Sequence, residues 1–128
     1  LLDRIDIHLQ VRKVEFDDLH NSYSGDTSSE IRKRVSLARK IQKERFAEEG
    51  KIWVNSQMGP KEIDNFCSVD NQSSTLLKKS VERFGLSARA YHRILKLART
   101  IADLESIEKI SFSHVAEAIQ FRRGDLKN

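Results

Sequence analysis

The sequence predicts a mainly α-helical protein, a small helical bundle preceded by one β-strand and a polar connection. Two observations predict this fold. From Thr27 onward, apolar residues recur at helical spacing in several segments, and each segment begins at a helix-start signal. Near the N-terminus, apolar and polar residues alternate instead, which is typical of a half-buried strand. Amphipathic helices must bury their apolar stripes against one another, so we expect a bundle.

The predicted strand covers residues 1–11. Its apolar residues occupy alternate positions: Ile5, Ile7, Leu9 and Val11. The chain opens on this pattern with no initiator Met and no preceding turn, so we expect it to be a piece of a longer protein that begins inside a strand of a larger fold. Residues 12–26 are polar and rich in turn formers, and we expect a flexible linker there.

The helical domain is expected over residues 27–128. Its first helix is predicted from the capping box at residues 27–30, where a Thr hydroxyl is followed three residues later by Glu. It should continue to about Glu48 and end at Gly50. Its expected buried stripe is formed by four positions at helical spacing: Ile31, Val35, Ala38 and either Ile41 or Gln42.

A short extended link at residues 52–54 should follow. Gly59 and Pro60 then predict a short helix that runs through Cys67, because Pro favours the first helical position. The thiol of Cys67 stands beside apolar residues, so we interpret it as a packing residue and not as a reactive one.

Three further helices complete the predicted bundle. The first runs from Asp70 to Phe84 and stops at Gly85. The second is capped by Ser87 and reaches about Glu105. The third begins at Ser111 or Ser113, two starts that the sequence does not distinguish.

Composition narrows the possible functions. Of the 128 residues, 38% are hydrophobic and 33% are charged, with a net charge of +4, which permits phosphate or nucleic-acid contacts without requiring them. The single cysteine excludes an internal disulfide and suits a reducing, cytoplasmic location. Apolar runs are too short to span a bilayer, so we expect no membrane partner.

Catalytic motifs are missing from the sequence. It has no Walker A loop, no Gly-rich phosphate cradle and no zinc-ligand spacing. The histidines are scattered, so we predict no metal site: His8, His20, His92 and His114. By itself the chain is therefore not expected to be an enzyme.

Arginine placement on the predicted 87–105 helix is the feature most suggestive of chemistry. Arg89, Arg93, Lys96 and Thr100 fall on one face, and Arg89 lies two residues after the capping Ser87. A cation in this first turn is disfavoured by the helix dipole but well placed to meet a phosphate. Spacing alone favours the simpler interpretation, a solvated helix face.

Arg4 raises a similar question. It lies between Asp3 and Asp6, so a local ion pair is one interpretation, and such a pair contributes little when exposed. A guanidinium that projects from a strand end toward a neighbour's nucleotide is the other.

Two segments resemble signatures of magnesium-chelatase-like AAA+ ATPases. They are residues 1–8, LLDRIDIH, and residues 85–104, GLSARAYHRILKLARTIADL. Residues 57–60 and 114–122 fit the same family. The resemblance covers nearly the whole chain and favours the bacterial ComM/YifB branch over the true chelatase subunit. Residues 20–26 and 45–55 match only loosely, and nothing is carried over there.

The resemblance implies an ATPase whose Walker motifs lie upstream, in a part outside this chain. Arg4 matches the arginine finger of related motors, which acts in trans on the γ-phosphate held by the next subunit. Arg89 matches the sensor-2 arginine that opens a lid helix. No family motif marks Arg93, which remains a secondary candidate for nucleotide binding. ATP and Mg²⁺ are the cofactors implied for the longer protein, with neither bound tightly by this chain.

The implied assembly is a homo-oligomeric ring, expected to be a hexamer, because one subunit's finger completes another's site. The ComM-like branch implies a motor acting on DNA, in branch migration or recombination during transformation. One alternative is the lid of a metal-insertion chelatase subunit. Another is a stand-alone DNA-binding module that uses the basic residues of 32–45 and 89–99.

Overall fold

The computed structural model describes residues 4–11 and 25–122. Most of the predicted linker, and the residues after Arg122, lie outside these ranges. The described part contains five α-helices and confirms the predicted bundle. The helices are α1 Ser28–Arg45, α2 Pro60–Phe66, α3 Asn71–Phe84, α4 Ala88–Leu104 and α5 Phe112–Gln120, with a 3₁₀ helix at Asn55–Gln57 that the sequence did not predict.

Local start and stop signals explain where the helices begin and end. The Thr27 side chain accepts from the Glu30 amide, and Glu30 accepts from the Thr27 amide, both at 3.1 Å, so the capping box is confirmed. Ser87 caps α4 by accepting from the Ala90 amide at 3.1 Å. Gly85 ends α3 with a φ of 61°, a left-handed conformation that favours glycine.

The start of α5 was left open by the sequence, and the structure places it at Ser111. The Ser111 amide donates to Nδ1 of His114 at 2.9 Å. His114 is buried, and its Nε2 lies 3.0 Å from a carboxylate oxygen of Glu105. This histidine therefore closes the first turn of α5.

Helix α4 lies at the centre of the bundle. It contacts α1, α2, α5 and the 3₁₀ helix, while α3 packs against α5. Its buried Ile94 and Ala98 belong to the same hydrophobic core as Val115 and Ala118 of α5. Because α4 has neighbours on several sides, its position fixes where its remaining polar face lies.

The predicted buried stripe of α1 is correct only in its C-terminal half. Ala38 and Gln42 are buried, but Ile31 and Val35 are 45% and 44% exposed. A helix of 18 residues is roughly 27 Å long, and its buried residues lie in its C-terminal half. The helix also ends at Arg45, earlier than predicted, and the ring of Phe46, the next residue, is buried in the core.

The predicted strand is not formed in residues 4–11, and the described ranges contain no strand. A strand takes its hydrogen bonds from a neighbouring strand, and no such neighbour is present among these residues. The segment instead docks on the end of α5, where the His8 amide donates to the Phe121 carbonyl at 2.7 Å.

Cys67 has the packing role that was predicted for it. The side chain is buried, and its sulfur lies 4.0 Å from the sulfur of Met58. Burial raises the pKa of the Cys67 thiol to about 11. Across the described part of the chain, every helix is too short or too polar to cross a membrane.

Candidate functional site

A cavity of about 430 Å³ opens beside the N-terminal half of α4. One wall is formed by the polar face of α4 and the other by the start of α2 and the residues before it. Its lining residues are Met58, Pro60, Ile63, Arg89, His92, Arg93 and Lys96. Three of the four cavity residues from α4 are cations, and they meet a largely apolar opposite wall.

The three cations differ in how firmly they are held. Arg89 is exposed in the first turn of α4. Arg93 is half-buried and forms an ion pair with Asp6 of the N-terminal segment. Lys96 donates to the carbonyl oxygen of Ser56 at 3.0 Å. Arg89 is therefore the cation that is most open to a ligand from solvent.

The electrostatics of this cavity favour an anion. The pKa of Lys96 is lowered, chiefly by burial and then by the positive charges of Arg93 and Arg89. Cations that disfavour one another's charge also stabilise a negative ligand placed among them. The N-terminus of α4 adds a favourable helix dipole at the same end.

Thr100 was predicted to share the cationic face, but it serves a different contact. Its hydroxyl donates to the Lys96 carbonyl at 2.9 Å and accepts from the side-chain amide of Asn55 at 3.0 Å. Thr100 thus anchors α4 to the 3₁₀ helix and does not line the cavity.

Arg4 is exposed, and the predicted local pairing with Asp6 is not formed. Asp6 pairs with Arg93 instead, and Asp3 lies outside the described residues. The structure therefore brings the Arg4 segment to the same helix that carries Arg89, a proximity that spacing along the sequence did not indicate.

A buried ionic network, which the sequence interpretation missed, joins α1, the 3₁₀ helix and α4. Arg45 donates to both carboxylate oxygens of Asp103, and Asn55 donates to the same carboxylate at 2.9 Å. The Nε of Arg99 lies 3.3 Å from Asp103. The spacing of Arg99 and Asp103, four residues apart on a helix, was the available signal for part of this network.

The network removes two cations from the predicted DNA-binding surface. Arg99 is 5% exposed, and its guanidinium donates to the carbonyls of Glu108 and Ile107 at 2.8 and 2.9 Å. Arg45 is held by Asp103. These interactions are structural, and they weaken the interpretation of the domain as a stand-alone basic module.

Comparison with known proteins decides the family. Residues 25–122 match the model described as the C-terminal part of magnesium chelatase subunit ChlI. The chain belongs to this magnesium chelatase ChlI C-terminal family. This match confirms the family resemblance that the sequence predicted, and it covers residues 85–104, whereas residues 1–8 lie before it.

Relatives of this ChlI C-terminal domain include three bacterial proteins. The chain is 41% identical to Competence protein ComM of Haemophilus influenzae over 94% of its length. It is 34% and 33% identical to the uncharacterized YifB proteins of Salmonella typhimurium and Escherichia coli, over 97% of its length. The chain spans only 23–24% of the length of these relatives.

The ChlI C-terminal domain shows no preformed metal centre among its described residues, since no three His, Cys, Asp or Glu side chains are grouped closely enough to hold an ion. Its arginines and lysine around the α4 cavity are suited instead to phosphate oxygens, which guanidinium groups bind through paired hydrogen bonds.

Proposed function

We propose that this domain is the helical lid of a magnesium-chelatase-like AAA+ ATPase and that Arg89 is its sensor-2 residue. The observation that carries the proposal is the grouping of Arg89, Arg93 and Lys96 around one cavity at the N-terminal end of α4. Arg89 is the exposed member of this group, so its guanidinium is free to donate to a γ-phosphate. Its role is to stabilise the negative charge that develops there during phosphoryl transfer.

Residues upstream of the described domain supply the rest of the nucleotide site in this proposal. Bound Mg²⁺ and ATP supply the electrophilic phosphoryl group and its charge neutralisation. This chain contributes the positive cavity lined by Arg89, Arg93 and Lys96, whose charges favour phosphate oxygens. We expect the chain alone to bind ATP weakly and not to hydrolyse it.

Arg4 is proposed as the arginine finger that acts on the nucleotide of the next subunit. Its support is the resemblance of residues 1–8 to the family signature, together with its exposure and its lack of an ion pair in the described residues. A finger that acts in trans requires a closed ring of subunits, and we propose a hexamer.

The proposed substrate is DNA, in branch migration or recombination during transformation. The support is the 41% identity to a relative that is named a competence protein. Insertion of a metal ion, suggested by the family name, is the competing function. Stimulation of ATP hydrolysis by branched DNA, with steep salt dependence, supports the DNA motor, and its absence favours the alternative.

A subunit-mixing experiment on the full-length protein tests the ring mechanism. Arg4→Ala subunits should assemble and bind ATP but hydrolyse it slowly, since an arginine finger contributes about 10³–10⁵ in rate in GTPases. Mixing them with Walker-A-dead subunits should restore activity at interfaces that combine one sound site with one sound finger.

Arg34→Ala is the matched control, because Arg34 is also an exposed arginine and its partner is Asp26 on the surface. It should retain normal turnover. Near-normal ATP hydrolysis by Arg4→Ala, or mixed rings in which no hydrolysis activity is restored, would remove Arg4 from the mechanism.

A further inference from the structure

Among the described residues, contacts at Ile5, Asp6 and His8 fasten the Arg4 segment to the helical domain. The Ile5 carbonyl accepts from a guanidinium nitrogen of Arg122 at 2.8 Å. The His8 amide donates to the Phe121 carbonyl at 2.7 Å. Asp6, which lies between these two residues, forms an ion pair with Arg93 of α4. Each of these contacts therefore lies within four residues of Arg4.

The contacts differ in burial, and this difference shows which contact can open most readily. Arg122 lies two residues after α5 and is 1% exposed, so its bond to the Ile5 carbonyl is part of the packed structure. Asp6 is about half exposed, and the Arg93 side chain is 21% exposed. A solvent-facing ion pair forms and breaks more readily than a buried one.

We propose that Asp6 is a positioning residue, which ties the Arg4 segment to α4 through Arg93 so that Arg4 and the Arg89 cavity move as one body. The ion pair spans 87 residues of sequence, and it joins the segment that carries one proposed phosphoryl-transfer arginine to the helix that carries the other. A movement of α4 then moves Arg4 with it.

The functional consequence rests on the proposed function. Lid movement at one subunit's nucleotide displaces the finger that reaches the next subunit's nucleotide. Asp6 therefore couples neighbouring sites mechanically, without touching either nucleotide. Arg93 has two roles in this arrangement, because it faces the cavity and also holds Asp6.

Hydrogen exchange at the His8 amide tests the docking in this chain without any ATPase assay. The bond from this amide to the Phe121 carbonyl protects it from exchange while the segment is docked. Asp6→Ala should speed its exchange about two- to fivefold, the effect expected of a solvent-facing pair. Asp6→Lys should speed it about tenfold or more, because it faces Arg93 with a like charge.

Asp26→Ala is the matched control, since Asp26 is an exposed carboxylate that also pairs with an arginine. It should leave His8 exchange unchanged. Amides of Ile94 and Ala98, in the core of α4, should keep their protection in all variants, which shows that the domain stays folded. Unchanged His8 exchange in both Asp6 variants overturns the docking role.

Subunit mixing then tests the coupling in the full-length ring. Where Asp6→Ala subunits supply the finger, ATP hydrolysis should be about two- to fivefold slower. Where they supply the nucleotide site, hydrolysis should be normal. A merely structural role for Asp6 would slow both arrangements. If hydrolysis slows equally in both arrangements, the coupling proposal is wrong. If Arg4→Ala turns over normally, the proposed function fails, while the exchange experiment still decides the docking.

Discussion

Arg45 and Asp103 form a bidentate ion pair in the protein interior, although they are 58 residues apart in the sequence. Nη2 of Arg45 lies 2.6 Å from one carboxylate oxygen, and Nη1 lies 2.8 Å from the other. The Asp103 side chain is fully buried, and that of Arg45 is 12% exposed. Arg99 adds a second cation beside the same carboxylate, and burial lowers the pKa of Arg99.

Removal of the central carboxylate should therefore be strongly destabilising. Asp103→Ala leaves Arg45 and Arg99 buried beside each other without their shared anion, which should lower the free energy of unfolding by about 3–5 kcal/mol. Urea denaturation measures the change. Asp26→Ala, which breaks the exposed pair with Arg34, should cost less than about 1 kcal/mol. Equal losses in the two variants would show that the buried network is not a stability determinant.

The second prediction concerns the candidate sensor-2 residue. Arg89→Ala in the full-length protein should remove about 3 kcal/mol of transition-state stabilisation and leave the lid folded, because Arg89 is exposed. Arg89→Lys should recover little, since an ammonium lacks the planar fork of donors. Steady-state ATP hydrolysis and thermal melting are the two measurements. Unchanged turnover removes Arg89 from the site, and a large loss of stability makes it structural.

The third prediction follows from the burial of Cys67, which raises the pKa of the thiol from an ordinary value of 9.0 to about 11. At pH 8 the native thiol should react with iodoacetamide about 100-fold more slowly than the unfolded one, since the thiolate is the nucleophile. Because the folded pKa is the higher one, this group's contribution to stability should be present below pH 9 and lost as the pH rises toward 11. Equal alkylation rates in native and denatured protein contradict the prediction.

The fourth prediction tests the uneven burial of α1. Ile31→Ala should change the free energy of unfolding by no more than about 0.5 kcal/mol, because Ile31 is 45% exposed. Leu77→Ala, at a residue 2% exposed in α3, should cost about 2–5 kcal/mol. Chemical denaturation of the chain measures both. A loss at Ile31 comparable to that at Leu77 would place α1 inside the core along its whole length.

Local chemistry explains why most helix boundaries could be predicted from the sequence. A capping hydroxyl at Thr27 or Ser87, and a left-handed glycine at Gly85, act through atoms only a few residues away. The cationic face of α4 is also local, since Arg89, Arg93 and Lys96 follow one helical spacing. The sequence by itself therefore determined the bundle, its five α-helices and the cationic face of α4, and its motifs determined the family resemblance.

Only the tertiary structure decided which side chains are buried and which charges pair. Ile31 and Ala38 share one stripe of α1, but only Ala38 is buried, because burial depends on where the neighbouring helices lie. Asp6 could have paired with Arg4, two residues away, yet it pairs with Arg93 across 87 residues. The spacing of residues along a helix is fixed by its backbone geometry. Burial and long-range ion pairs depend instead on how the helices pack. A sequence pattern does not indicate how far apart two segments lie in the folded protein.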